Sequence, residues 1–509
     1  MAIKITMIKF KVLFCILFFL LQISIFAQDE KSKSDSLEIT ISTGALVSTN
    51  DKLLPFYLVN NQFGEVDPKG NFFLSGQLLY EKDLVKNFKF TSGFGFRNDI
   101  FSKYYLSLSF KDWHLETGRI QQTSGGFDSG LSSGSLALSE NALPVPMVSL
   151  SLKEYKPIPF THGYLKYKGS FSHRWLEEDR YISNAQLHGK SFYAMLDLEE
   201  VIGLQVSSGI VHFAQYGGVS PQGDRQPSDF ADFLRVFMGA GIVDPDDIGR
   251  GEGNGLGNHL GITEFTFKKI IGKHTLSYNY QKQFEDEGSI QYISLKDFLM
   301  SLEWDLGNKE GLVTKVHLEW LESKWQSGRG FPDPTETVQT VEDNMGNEFG
   351  ERDDYYNNYL YRSGWTYNER VMGNPLFLTY KYTLNFLNPY PDYGVAIANN
   401  RISAVHLGLE GKLSDKITYK GLFTYSKNFG TYAGVYEGRF NWAGITTDPN
   451  FDYAFLPALS QFYSAIQLQW KNPFNKEGLS FETKLAFDKG ELYDALGIQL
   501  SVSYSLLNH

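Results

Sequence analysis

Along most of the chain, large apolar residues occupy every second position, the period of a pleated strand with two unlike faces. The C-terminal stretch is the plainest case: Leu496, Ile498, Leu500, Val502, Tyr504 and Leu506 alternate with Gly497, Gln499, Ser501, Ser503 and Ser505. Before it, Leu479, Phe481, Thr483, Leu485 and Phe487 alternate with Ser480, Glu482, Lys484, Ala486 and Asp488. The intervening Asp488-Lys489-Gly490-Glu491 predicts a tight hairpin turn. Two further hairpins are expected, Phe298–Leu306 with Leu312–Trp320, and Val405–Leu413 with Ile417–Tyr425 through Ser414-Asp415-Lys416. Near the front, Phe88, Phe90, Phe94 and Phe96 alternate with Lys89, Thr91, Gly93 and Gly95.

The two faces distinguish β architectures. In a sandwich the apolar face fills a core and the polar face meets water. In a membrane barrel the apolar face meets lipid, the polar face lines the lumen, and aromatics collect near strand ends. Here Gly, Ser, Glu and Lys share one face, and Trp304, Trp320, Trp470 and Tyr504 stand near the ends of the other. Short connections (Glu81–Asn87, Glu199–Glu200, Gly307–Gly311, Ser414–Lys416, Asn472–Gly478) interleave with long ones near 121–148, 214–262, 323–370 and 427–456. That alternation is the pattern of periplasmic turns and outer loops, and the length supplies roughly 16–20 strands. The predicted fold is therefore all-β, a transmembrane antiparallel β-barrel with long extracellular loops. A large secreted all-β domain is the other architecture this patterning allows. Ser228 to Met238 is the one stretch with a helix signature, Ser228 as N-cap and Phe230, Phe233, Leu234 and Phe237 on one side.

The first residues break the pattern. Lys4, Lys9 and Lys11 precede a nearly continuous apolar run, Val12 to Phe26, and Ala27 then leads into Gln28-Asp29-Glu30. Residues 1–27 are expected to be a cleaved secretory signal peptide, too short to span a bilayer. Residues 28–36 are expected to be a mobile periplasmic segment and 37–509 the barrel. The chain carries 47 Lys+Arg against 58 Asp+Glu, a charge of −11, which becomes −14 once those lysines leave. An acidic balance without basic blocks excludes nucleic acid as the main partner. The single cysteine, Cys15, excludes disulfide scaffolds and thiolate zinc sites.

Catalytic patterns are not supported by their surroundings. Gly130-Leu131-Ser132-Ser133-Gly134 matches a nucleophile elbow, which needs a strand before the serine and a helix after it, whereas its flanks are Ser/Gly-rich. Gly251–Gly257 offers no Gly-x-Gly-x-x-Gly register, and Asp244–Gly249 begins like a calcium loop but places Ile248 at a ligand position. The ten histidines do not fall at metal spacing. Glu177-Glu178 and Asp353-Asp354 are carboxylate pairs whose separation across a sugar sequence does not fix. We expect no catalytic residue, no metal and no cofactor.

The long loops do combine aromatic with polar residues. Between Asp353 and Arg370 stand Tyr355, Tyr356, Tyr359, Tyr361, Trp365 and Tyr367 among Asn357, Asn358, Arg362 and Asn368. Flat aromatic faces stack on sugar rings, and Asn and Arg hydrogen-bond hydroxyls or pair with carboxylates. Tyr355, Tyr356, Asn358, Arg362, Trp365 and Tyr367 are the candidate glycan-binding residues. Arg329, Arg352, Arg362 and Arg370 could form a basic patch for an acidic glycan.

A series of short blocks runs along nearly the whole mature chain. In order they are Leu54–Gly64 (LPFYLVNNQFG), Ser139–Pro146 (SENALPVP), Asp179-Arg180 with Asn184–Gly189, Gln215–Gly218, Ser228-Asp229-Phe230 and Asn258–Gly261. Asp354–Asn358 (DYYNN), Gly364-Trp365, Gly373–Leu376 (GNPL), Asn399–Arg401 and His406–Gly411 follow. In this order the blocks resemble the Wzi-type capsule assembly family, and the resemblance implies a barrel of about 18 strands in the outer membrane. It also implies a lectin holding capsular or extracellular polysaccharide at the cell surface, without catalysis and without transferable sugar-contacting positions. Outer-membrane lipid is the other expected partner, and a monomer the expected state. Two features depart from the family: no strong periplasmic helical bundle is visible, and the chain ends Leu506-Leu507-Asn508-His509 rather than on an aromatic. Alternatives from other classes are a channel or transporter for oligosaccharides, which needs an open polar lumen, and a membrane-embedded hydrolase, which needs two close carboxylates.

Overall fold

The computed structural model describes residues 35–508 apart from 71, 127–129, 240–255, 286–295, 327–352, 389, 391, 393, 433–452 and 456. The signal-peptide segment and residues 28–34 therefore lie outside the described residues, as do Asp244–Gly249, Gly251–Gly255, Arg329 and Arg352.

The strands are, in order, β1 (Asp35–Ser48), β2 (Phe72–Val85), β3 (Phe88–Arg97), β4 (Ile100–Phe110), β5 (Trp113–Arg119), β6 (Met147–Pro157) and β7 (Leu165–Trp175). Next come β8 (Gln186–Leu198), β9 (Leu204–Tyr216), β10 (Asn258–Ile271), β11 (His274–Phe284), β12 (Phe298–Asp305) and β13 (Lys315–Glu322). Two-stranded ladders follow, β14 (Thr366–Tyr367) with β15 (Arg370–Val371) and β16 (Leu378–Thr379) with β17 (Ile397–Asn399). The last are β18 (Ile402–Ser414), β19 (Ile417–Asn428), β20 (Leu459–Lys471), β21 (Leu479–Gly490) and β22 (Ala495–Asn508).

Leaving out the two short ladders, the strands form one 18-stranded antiparallel sheet in sequence order. It closes because β1 pairs with β2 on one side and with β22 on the other, Leu37↔Asn508 through Ser48↔Gly497. Closure leaves no ladder edge unsatisfied, the condition for a sheet in hydrocarbon. Among the described residues no helix is long and apolar enough to cross a membrane.

The wall obeys the alternation read from the sequence. On β12, Leu302 and Trp304 are 45% and 44% exposed while Ser301 is 4%. On β13, Leu318 and Trp320 point outward while His317 and Glu319 are buried on the inner side. The apolar face thus looks out and the polar face in, the architecture of an outer-membrane barrel. Because the strand number is even, both termini lie at one end, and so do the short connections at 86–87, 111–112, 272–273 and 415–416. The long connections, 49–71, 120–146, 217–257, 323–401 and 429–458, all lie at the other.

Local boundaries differ from the sequence reading where pairing outweighs composition. Asp488 to Gly490 stay in the ladder, Gly490 opposite Gln461, and the turn falls later. Leu312 and Thr314 lie in the connection before β13. The helix spans Phe230–Met238, and Asp229 rather than Ser228 caps it: the Asp229 side chain accepts from the Asp232 N–H, while the Asp229 N–H donates back to the Asp232 carboxylate. The first long connection, 49–71, was not foreseen as one.

Candidate functional site

The lumen is filled. Segments 49–70, 120–126, 130–146, 176–185 and 353–401, the last without 389, 391 and 393, fold inward from the loop end and pack into one buried cluster, with Phe56, Tyr57, Leu58, Leu131, Leu136, Tyr356, Trp365 and Phe377 among its members. These apolar residues have no place on the lipid face; burial against one another removes them from water instead. The inner wall holds them by hydrogen bonds. Glu264 accepts from the Gly126 N–H (2.7 Å) and from the Asn279 and Gln281 amides. Glu319 accepts from the Ser132 hydroxyl (2.6 Å) and the Ser133 N–H (2.8 Å). His406 donates Nε2–H to the Leu131 carbonyl at 2.6 Å, and Asp488 accepts from the Phe56 N–H at 2.6 Å. Gly408 on β18 lets this contact close, since a Cβ there would stand 2.4 Å from the Leu131 carbonyl.

The sequence-predicted residues belong mostly to this plug. Tyr355, Tyr356, Trp365 and Tyr367 are all buried. The Trp365 indole N–H donates to the Ala137 carbonyl at 2.7 Å and the Tyr356 hydroxyl to that of Leu136. The Tyr355 hydroxyl donates to Asp297, and Tyr367 accepts from Arg119 at 3.0 Å. Their ring faces are therefore turned to protein, whereas the sequence reading offers all six side chains to a glycan. Asn358 is half-buried, its Oδ1 accepting from the Leu360 and Tyr361 N–H groups at 2.9 Å. Arg362 alone of the six is exposed, with its guanidinium over the Tyr181 ring at 4.9 Å. Beside it Tyr359, Glu178 and Asp179 are exposed. Arg370 does not join an outer basic patch: it reaches inward and donates to the Val59 and Val66 carbonyls.

Desolvation marks the plug's ionisable groups. Burial raises the Asp354 carboxyl above its usual range, although Asn357, Asn400 and Thr431 all hydrogen-bond it. Burial also raises Glu285, which accepts from the Tyr356 N–H at 2.7 Å, and lowers Arg180. Arg180 pairs with Glu177 at 3.0 Å and donates to the Thr366 (2.6 Å) and Gly364 (3.1 Å) carbonyls. The sequence flagged Asp179-Arg180 only as part of a block; its role as a fork clamping a distant loop left no local signal. Ser132, central in the elbow-like pattern, lies in an irregular loop and donates its hydroxyl hydrogen bond to the wall carboxylate of Glu319.

On the terminus side of the plug a cavity of about 400 Å³ remains. Tyr57, Asn61, Glu65 and Ser132 close it above, and Gln77, Lys420, Gln467, Glu482, Lys484 and Gln499 line it from the wall. Amides, hydroxyls, carboxylates and amines together suit reversible hydrogen bonding to a polyhydroxylated ligand.

Residues 63–301 match the family model of the capsule assembly protein Wzi. The blocks from Ser139 to Gly261 fall inside that span, while Asp354–Asn358 and the blocks after it lie beyond. No curated protein matches the chain. Among solved structures, Escherichia coli Wzi, an outer membrane protein involved in group 1 capsule assembly and described as a carbohydrate-binding β-barrel, is similar at 15% identity and a TM-score of 0.54. That similarity covers 91% of this chain and 83% of the other. OccK5 (OpdH) of Pseudomonas aeruginosa is 10% identical with a TM-score of 0.45, covering 94% and 99%. OccK10 (OpdN) of the same organism is 11% identical with a TM-score of 0.45, covering 94% and 100%.

Proposed function

We propose, from the premise that residues 63–301 match the capsule assembly protein Wzi family, that the barrel binds capsular or extracellular polysaccharide and anchors it at the surface of the outer membrane, without catalysis. The filled lumen carries the reading. A conduit for oligosaccharides needs an open polar bore, whereas here buried aromatics and side-chain-to-backbone hydrogen bonds knit loop segments across it. What the plug leaves facing outward is a rigid loop surface with Tyr359, Arg362, Glu178 and Asp179, able to make weak contacts that a repeating polymer multiplies. In this reading residues 1–27 direct export and are removed, the mature protein stands in the membrane as a monomer, and glycan contact falls to Arg362, Asn358 and Tyr359 rather than to the buried rings.

The test is to delete the gene in its host and measure polysaccharide on cells and in the medium. Normal synthesis with shedding, restored by the wild-type chain and not by Tyr359→Ala with Arg362→Ala, is the expected result. Unchanged retention after deletion would overturn it, and uptake of oligosaccharides through the barrel would then be measured.

A further inference from the structure

The outer wall carries one polar patch where apolar residues belong. On β8 the outward series runs His188, Lys190, Phe192, and on β9 it runs Ile210, His212, Ala214, Tyr216. Phe192 and Ile210, nearer the middle of the wall, are exposed as lipid-facing residues should be. His188 and His212, toward the loop end, are instead buried, and His212 Nε2 lies 2.9 Å from His259 Nδ1 on β10. A lipid-facing wall does not expose imidazoles and an amine without a cover.

The cover is the helix Phe230–Met238. Phe233 and Phe237 each place their rings 5.5 Å from that of His188, and the Lys190 ammonium donates to the Phe237 carbonyl. Phe233 also meets Tyr216, the last residue of β9, whereas Phe237 meets Lys190, four residues deeper in the same strand pair. The helix thus starts at the rim and descends along the outside of the barrel. The adjoining ridge, Phe230, Leu234 and Met238 at i, i+4 and i+8, flanks the Phe233–Phe237 line on the same apolar side and is 75%, 46% and 73% exposed. A broad apolar helix side that the wall covers only in part is not a water-exposed loop element.

We propose that residues 230–238 form an interfacial helix whose Phe230–Leu234–Met238 ridge lies among the acyl chains of the outer leaflet, screening the His188–Lys190–His212–His259 patch from lipid. The ridge continues the apolar surface of Phe192 and Ile210, which is the argument for lipid as its occupant.

The chain's single cysteine, Cys15, is replaced so that each introduced cysteine is the one thiol to label. In a Cys15→Ser background, nitroxide labels are placed singly at Leu234→Cys and Met238→Cys, at Arg235→Cys on the helix flank, and at Tyr359→Cys on the outer plug surface. Each protein is reconstituted in phosphatidylcholine vesicles, and its folded state is checked by heat-modifiable gel migration. Oxygen should broaden the signals at 234 and 238 while a water-soluble nickel chelate does not. The chelate should dominate at 359 and gain access at 235. Free access of the chelate to 234 and 238, as at 359, would overturn the proposal. So would exclusion of both reagents there, which would mean that a second protein surface covers the ridge.

Discussion

The wall and the plug are built from the same residue types under opposite rules. On the wall, position alone decides fate: on β12 Leu302 and Trp304 look out and Ser301 looks in, and backbone ladders satisfy every peptide group. In the plug no period operates. Backbone carbonyls there are met by side chains from far along the sequence, as with Trp365 to Ala137, Asn374 to Gly134 and Arg180 to Thr366. The contrast teaches that part of the polar inner face of this barrel is a seat for folded loops. Glu264, Glu319 and His406 are polar because they receive a folded loop, and Gly408 is small because that loop touches the wall.

The largest test of that division is Trp365→Ala. Emptying a fully buried indole site costs about 3–5 kcal/mol, and the loss should fall on the plug alone. Limited proteolysis should cut between 353 and 401 and conductance should appear, while the barrel keeps its folded gel mobility. Loss of both together would show wall and plug to be one cooperative unit. The converse is Leu302→Arg, a charge placed on the lipid face, which should cost about 2–4 kcal/mol near the bilayer midplane. Denaturant unfolding in vesicles should register it, with plug proteolysis below the transition unchanged. Arg180→Ala sharpens the line further. Removing charged donors from the Thr366 and Gly364 carbonyls should cost about 1.5–3 kcal/mol, read as faster hydrogen exchange around Gly364 and not in β8 or β9.

The same division explains what could be read from the sequence. The wall was legible because each strand repeats a two-residue rule that lipid enforces; the hairpins β12–β13, β18–β19 and β21–β22 all pair as the alternation predicts. The blocks carrying the family resemblance were legible as blocks, but not as neighbours. Leu54–Gly64, Ser139–Pro146, Asp354–Asn358 and Gly373–Leu376 are far apart in sequence and meet only in the lumen, where Asn141 donates to Val371 and Ser139 to Gly373. The aromatic loop is the place where composition leaves two readings open. A Tyr-rich, Asn-rich stretch has the chemistry of a sugar platform and equally that of a plug, because each hydroxyl or indole N–H that binds a glycan can satisfy a buried carbonyl. Only the contacts separate the two, as Gly373 shows: a Cβ there would stand 2.6 Å from the Leu136 carbonyl.

Protonation offers a gentler probe of the plug. Asp354 is buried and its carboxyl is raised, so the folded plug binds that proton more tightly than the unfolded segment does. A raised acid contributes stability that is fully present below its ordinary value near 3.8 and is lost as pH rises through the raised one. Protection of the Tyr355 and Tyr356 amides, corrected for intrinsic exchange, should therefore fall as pH rises above about 3.8. Asp354→Asn should flatten that dependence, and a slope of the opposite sign would mean that the hydrogen bonds from Asn357, Asn400 and Thr431 outweigh burial.

The smallest effect on stability is expected where the effect on function should be greatest. Tyr359 is exposed, and Tyr359→Ala should change unfolding by no more than about 0.5 kcal/mol, whereas Tyr356→Ala removes a buried ring whose hydroxyl caps the Leu136 carbonyl. If glycan is held on the outer loop surface, Tyr359→Ala should lower retention of polysaccharide on cells with an intact plug. Tyr356→Ala should lower it only in proportion to plug damage seen by proteolysis. The pair thus separates a residue that touches ligand from one that supports the surface presenting it. Retention that follows proteolysis for both variants would assign glycan holding to the plug's integrity as a whole. Retention lost at Tyr359 alone would make the outer loop surface the contact, with the filled barrel beneath it serving as a rigid mount.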